Sequence, residues 1–193
     1  MKDIVGKIKN IIECLGVSFK KDKTLILTEG DLQWQICYYL QTLKRRCDKN
    51  NEYSIHTEVS WYEKEDEKED EKKYKLVYRP DISLIPIKDI KRVGESKGFY
   101  FAKDGLLKGI VMELKFFRGS KKASLITENK KEQIKKDIEK MSNLKALNPK
   151  VHFFLIVFYQ NQRNVDELQE YIKQALKEKA LLDEECQVLL KGL

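Results

Sequence analysis

The sequence predicts an α/β fold, a mixed central sheet with helices on its faces, and three features carry that prediction. Amphipathic helical stretches lie near both ends of the chain. Between them run segments that alternate apolar and polar residues with a period of two. One further segment, VHFFLIVFY at 151–159, is apolar on both faces, as a strand covered by helices on both sides must be.

Residues 3–15, DIVGKIKNIIECL, set Ile4, Ile8, Ile11, Ile12 and Leu15 on one helical face. A second helix is expected over TEGDLQWQICYYLQTLKRRC, with Thr28 as N-cap and Asp31 three places on, in the manner of a capping box. On it Glu29 shares a face with Leu32, Gln33, Ile36 and Leu40, and Asp31 with Trp34, Gln35 and Tyr38. YSIHTEVSWYE reads as a first strand, the charge block at 63–73 as a hairpin tip or loop, and YKLVYRPDISLIPI as a second strand. The polar stretch 88–108 is an insertion with a short strand in GFYFA, and GIVMELKFF at 109–117 is the third strand. A basic helix follows over 127–147, with Ile134, Ile138, Met141 and Leu144 as its stripe and Pro149 beyond its end. VHFFLIVFY is then a strand and a last helix begins near Asn164, while the tail LLDEECQVLLKGL stays unassigned. Trp34, Trp61 and most other aromatic residues are expected in the core.

A chain of 193 residues holds one sizeable core, and no linker or repeat divides it, so 1–193 reads as a single domain. Its charge of +7 and pI near 9.0 favour a polyanionic partner such as nucleic acid. Cys14, Cys37, Cys47 and Cys186 form no CxxC pair, which disfavours a zinc knuckle or a disulfide framework. No apolar run approaches a membrane span and MKDIVGKIKN has no signal-peptide pattern, so a soluble, cytoplasmic protein is expected. There is no GxxxxGK[ST] loop, GxSxG elbow or GxGxxG turn, and His56 and His152 stand alone.

The chemistry concentrates in the third strand. Met112, Leu114 and Phe116 make one apolar face, while Val111, Glu113, Lys115 and Phe117 make the other. Charges in an apolar strand cost several kcal/mol, roughly, unless paired, hydrated or bound to something. Asp81 shares a face with Ser83 and Ile85 on the second strand, so pairing of the two strands brings it to Glu113. Two carboxylates together call for a cation, and a hard divalent ion with oxygen ligands, Mg²⁺ above all, answers that need. Two acids and a lysine on one sheet face are the components of metal-assisted phosphodiester hydrolysis, with Lys115 orienting or helping to deprotonate the attacking water. Their other reading is a structural ion pair at a sheet edge.

RPDISLI followed by VMELKFF resembles the PD-(D/E)XK nuclease superfamily, the restriction-endonuclease-like fold. Pro80 and Asp81 match its PD element, and Glu113, Leu114 and Lys115 its ExK element, over a core of about 28–160. The resemblance implies an Mg²⁺-dependent endonuclease acting on DNA, with Mn²⁺ as a substitute, RNA left open and a homodimer suited to duplex cleavage. It implies Asp81, Glu113 and Lys115 as catalytic residues, with Asp81 and Glu113 as metal ligands. Glu29 matches the acidic residue that many members carry on the preceding helix, and Glu58 is a second candidate. On the helix after ExK, Gln133 is the accessory candidate, with Lys136 and Asp137 expected on a solvated surface. Arg79, Arg118, Lys121 and Lys122 are candidates for phosphate contact. The alternative function is a catalytically inactive module of this fold that binds nucleic acid or a protein.

Overall fold

The computed structural model describes residues 2–22, 24–47, 53–64, 74–87, 99–100, 109–118, 127–160, 165–181 and 186–192. Most of 63–73 and of 88–108, and Lys121 and Lys122, lie outside the described residues. Helix α1 (Lys2–Lys21) runs past the predicted end because Phe19 continues the stripe of Ile8, Ile12 and Leu15, all fully buried. Helix α2 (Glu29–Cys47) starts on the predicted cap. The Asp31 N–H donates to Thr28 Oγ1 at 3.0 Å and the Thr28 N–H donates to the Asp31 carboxylate at 2.8 Å.

Two of the expected strands each divide in two. The first breaks at Glu58, whose positive φ of 50° turns the chain and separates β1 (Tyr53–Thr57) from β2 (Trp61–Lys64). The second breaks at Arg79-Pro80-Asp81, where proline offers no ladder N–H, and becomes β3 (Tyr74–Tyr78) and β4 (Ile82–Pro86). The two corners are joined: the Glu58 N–H donates to the Asp81 carbonyl at 3.1 Å, and Arg79 Nε donates to the Glu58 carbonyl at 3.0 Å. Thus β1 pairs with β4 while the β2–β3 ladder swings into a second sheet, which β5 (Phe99–Tyr100) joins parallel to β2.

The main sheet has the order β1-β4-β6-β7-β8. Strand β6 (Ile110–Phe117) is antiparallel to β4 and parallel to β7 (His152–Tyr159). Helix α3 (Glu128–Leu147) precedes β7, and α4 (Val165–Glu178) follows it. The unassigned tail is β8 (Cys186–Gly192), parallel to β7 in register from Phe153 opposite Cys186. A C-terminal strand, and not the last helix, therefore closes the sheet.

Alternation along β6 and β7 divides the core. Val111, Phe153, Leu155 and Val157 pack against Ile134, Ile138 and Met141 of α3 and Leu168 and Ile172 of α4, with Trp61 and Tyr78 of the small sheet. Met112, Leu114, Phe154 and Ile156 face Ile8, Ile12 and Leu15 of α1 and Leu32 and Ile36 of α2. Trp34 departs from expectation: it is exposed on α2 because Leu32, Ile36 and Leu40 take the buried side. No helix among the described residues is long and apolar enough to cross a membrane.

Candidate active site

The site forms where β4 stops short of β6. Their ladder ends with Ile82 opposite Met112, leaving Glu113–Phe117 without a β4 partner. Backbone N–H groups on that stretch still need acceptors. The Leu114 N–H donates to Asp81 Oδ2 at 2.6 Å, and the Phe116 N–H donates to Glu29 Oε2 at 3.2 Å. Carboxylates from a corner and from a helix entry thus occupy the flank that a longer strand would have filled. Gln33 fixes α2 to that corner, donating through Nε2 to the Asp81 carbonyl at 2.8 Å.

Glu113 and Lys115 lie on the opposite face of β6 from Leu114, as the alternation predicts, and both are buried. Lys115 Nζ donates to Glu113 Oε1 at 2.9 Å and to the Leu114 carbonyl at 2.9 Å. It also lies 3.1 Å from Asp137 Oδ2 and 3.9 Å from Glu29 Oε1. Tyr78 donates its hydroxyl to Glu113 Oε2 at 2.5 Å, and Lys140 donates to Asp137 Oδ1 at 3.0 Å.

Four carboxylates therefore share two ammonium groups, one of which, on Lys140, is half exposed. Burial, reinforced by Asp81 and Asp137, pushes the Glu113 carboxyl up to about 7, against the pull of Lys115 and the Tyr78 hydroxyl. Burial also raises Asp81, opposed by the Leu114 N–H and Lys115, and raises Glu29. Burial acts to lower the Lys115 pKa, yet Glu113, Asp137 and Glu29 together outweigh it and hold the ammonium well above an ordinary lysine. Burial and the Glu113 charge push the Tyr78 phenol well above its usual range.

Asp81, Glu113, Lys115 and Glu29 are thus neighbours at the end of the ladder. Other candidates are engaged elsewhere. Glu58 and Arg79 pair with each other at 2.7 Å across the two exposed corners. Arg118 donates through Nε to the Leu27 carbonyl at 2.6 Å, tying the end of β6 to the entry of α2. Gln133 is exposed on α3, and it is Asp137 of that helix, expected on the surface, that reaches Lys115. Helical spacing held the signal for Asp137, which stands between Ile134 and Met141 on the apolar stripe beside Ile138. Tyr78 carried no such signal. It shares strand parity with Leu76, which is exposed, and is buried only because the chain turns over the main sheet at Arg79-Pro80.

The donor set at the ladder's end is all oxygen and under-neutralised, which fits a hard divalent cation better than a soft one. Asp81, Glu113 and Glu29 supply those oxygens. Among the described residues no three acidic, His or Cys side chains already stand as a chelating group. Lys115 Nζ lies among the carboxylates instead. No family model matches the chain, and no curated protein or solved structure does either.

Proposed function

We propose that this protein is a metal-dependent deoxyribonuclease of the restriction-endonuclease-like type, hydrolysing phosphodiester bonds at Asp81, Glu113 and Lys115. One observation carries the reading: just past the end of the β4–β6 ladder at Ile82–Met112, Asp81 Oδ2 accepts from the Leu114 N–H at 2.6 Å, beside Glu113, whose Oε1 lies 2.9 Å from Lys115 Nζ. The mixed sheet with helices on both faces and the proline at the corner before Asp81 are compatible with that fold type, and the positive charge favours a polyanionic substrate.

Asp81 and Glu113, with Glu29 beside them, would hold Mg²⁺ or Mn²⁺, which supplies Lewis acidity and an acidified water when bound. The protein's own part is positioning and charge. The Leu114 N–H fixes Asp81, the Tyr78 hydroxyl fixes Glu113, and Gln33 keeps α2 and its Glu29 against the corner. Lys115, held protonated by its neighbours, acts as a hydrogen-bond donor and counter-charge to phosphoryl oxygens, not as the base. Asp137 keeps that ammonium directed at the site.

Saturation of Lys115 by Glu113, Asp137 and the Leu114 carbonyl favours a second reading, a binding module in which the ion network only joins α3 to the sheet. Cleavage assays separate the two. Wild-type protein is incubated with single-stranded, duplex and supercoiled DNA in Mg²⁺, Mn²⁺ or EDTA, beside Asp81→Asn and Glu113→Gln. The nuclease reading expects metal-dependent cutting that drops about a hundredfold or more in each variant, with circular dichroism unchanged. Binding without cutting in either metal supports the module, and cutting that persists in EDTA or in the double variant refutes the site.

A further inference from the structure

The outward side of α2 carries two large aromatic side chains that the core does not use. Trp34 is 63% exposed and Tyr38, one turn later, 54%. Their rings stack with centroids 5.6 Å apart and planes 13° from parallel, and Tyr39 meets Tyr38 edge-on at 5.8 Å. We propose that this pair is a stacking platform for unpaired bases, and that the protein's DNA substrate has a single-stranded or frayed segment beside the reacting phosphate. The substrate assignment rests on the nuclease reading above; the platform itself rests on α2.

Shape argues for bases. Two nearly parallel, stacked rings extend one another and leave an outward π face, and every base presents a face able to cover it. A duplex keeps those faces covered by their own neighbours except at its ends, so an unpaired segment is the form that fits. Placement argues for a strand passing the site. Glu29 at the start of α2 reaches β6 and Gln33 holds the Asp81 carbonyl, while Trp34 stands about 7.5 Å along the helix axis from Glu29 and about 140° round it, so a strand leaving the site reaches the rings by crossing the entry of α2. Charge agrees: the chain carries +7, and Lys44, Arg45 and Arg46 close the same helix. Size argues against a protein occupant. Two partly exposed rings offer about 300 Å² at most, well short of the roughly 800 Å² per partner of a stable interface.

The test uses the full chain in EDTA, so that binding is read without cutting. Trp61, the other tryptophan, is 1% exposed, so quenching of the intrinsic fluorescence reports on Trp34. The probes are a twenty-nucleotide oligothymidylate, an abasic backbone of equal length and a blunt duplex. The platform expects the oligothymidylate to quench and to bind more tightly than either control. Trp34→Ala should weaken that binding about tenfold or more and leave the abasic backbone unaffected, with Tyr38→Ala weaker in the same direction. Trp34→Phe should keep affinity within about threefold, since the ring face remains. Equal binding of base-bearing and abasic strands, or of wild type and Trp34→Ala, overturns the proposal. So does quenching that tracks protein concentration alone, which would assign the pair to a second copy of the chain. Base-dependent quenching in a protein that cuts no DNA in Mg²⁺ or Mn²⁺ keeps the platform and removes the hydrolytic reading. Metal-dependent cutting at rates indifferent to Trp34→Ala, with no base-dependent binding, does the reverse.

Discussion

Replacing Lys115 with methionine tests the charge balance of the site most directly, because methionine keeps the apolar stem and removes only the ammonium. Two short ion pairs disappear, to Glu113 at 2.9 Å and Asp137 at 3.1 Å, with a longer one to Glu29 at 3.9 Å and the hydrogen bond to the Leu114 carbonyl at 2.9 Å. At an effective dielectric near 20, each of the two short ion pairs is worth roughly 5 kcal/mol before solvation is counted. Losing the cost of burying the ammonium offsets much of that, and breaking a buried pair from one side leaves a net loss of about 3–5 kcal/mol. That loss should depend on pH in a defined direction. Without Lys115 the native state keeps protons on its buried acids that the unfolded chain releases near its ordinary carboxylate pKa. More protons bound in the native state means that stability falls as pH rises. Urea unfolding at pH 5, 7 and 8.5 should therefore show a small deficit for Lys115→Met at pH 5 and the full deficit at pH 8.5. Mg²⁺ at 10 mM should restore the variant more than the wild type, by about 1.4 kcal/mol for a millimolar site. A deficit below about 1 kcal/mol at pH 8.5, or one equal at pH 5 and 8.5, would refute the idea that Lys115 balances the cluster.

Glu113→Gln removes a carboxyl whose pKa lies near 7 in the folded protein against 4.5 for the free group. Its ionisation opposes folding as pH rises through that window, so the variant should gain on the wild type by up to about 3 kcal/mol between pH 4.5 and 8 in metal-free buffer. Paired urea titrations at the two pH values measure it. Tyr78→Phe takes away the hydroxyl that donates to Glu113 at 2.5 Å. The Glu113 carboxyl should then titrate above about 7, read from the ¹³C shift of labelled glutamate, with a stability loss of about 1–3 kcal/mol at pH 8. Thr28→Ala leaves the Asp31 N–H without its acceptor at the start of α2. It should cost about 1 kcal/mol, and lower Tm by about 2–4 °C in a scanning calorimeter.

What could be read from the sequence follows from what is local. Caps, helical stripes and strand alternation act over a few residues, so α2 begins at its predicted cap and Glu113 and Lys115 share the predicted face of β6. The strand breaks are not local, because each depends on the other corner. Glu58 carries no residue type that demands a positive φ, and its turn is held by Asp81 and Arg79 from the other corner. Pro80 did mark the second break, and reading one strand through it ignored the N–H that proline lacks. Tyr78 reaches Glu113 only through that corner. Asp137 is legible by helical position, but a carboxylate on a Lys-rich helix reads as a surface charge unless its partner Lys115 is in view. Strand β8 gave no periodic signal because most of its residues are half-buried, with neither a clear alternation nor a fully apolar run.

The broken ladder is also the strongest physical argument that the cluster has a task. If the N–H groups of Leu114 and Phe116 needed only acceptors, a β4 longer by a few residues would have provided carbonyls without burying any charge. Instead the chain turns at Pro80, and the acceptors are carboxylates from Asp81 and Glu29. Each carboxyl so placed is raised by its own burial, and Glu113 is raised further by its acidic neighbours. A lysine then has to be buried to offset them. Replacing such a network with apolar residues is commonly neutral or stabilising by about 1–4 kcal/mol, so fold stability gives little reason to keep it. Recognition of a cation and a phosphate does give one, because both require oxygen donors and a positive charge already oriented before the ligand arrives.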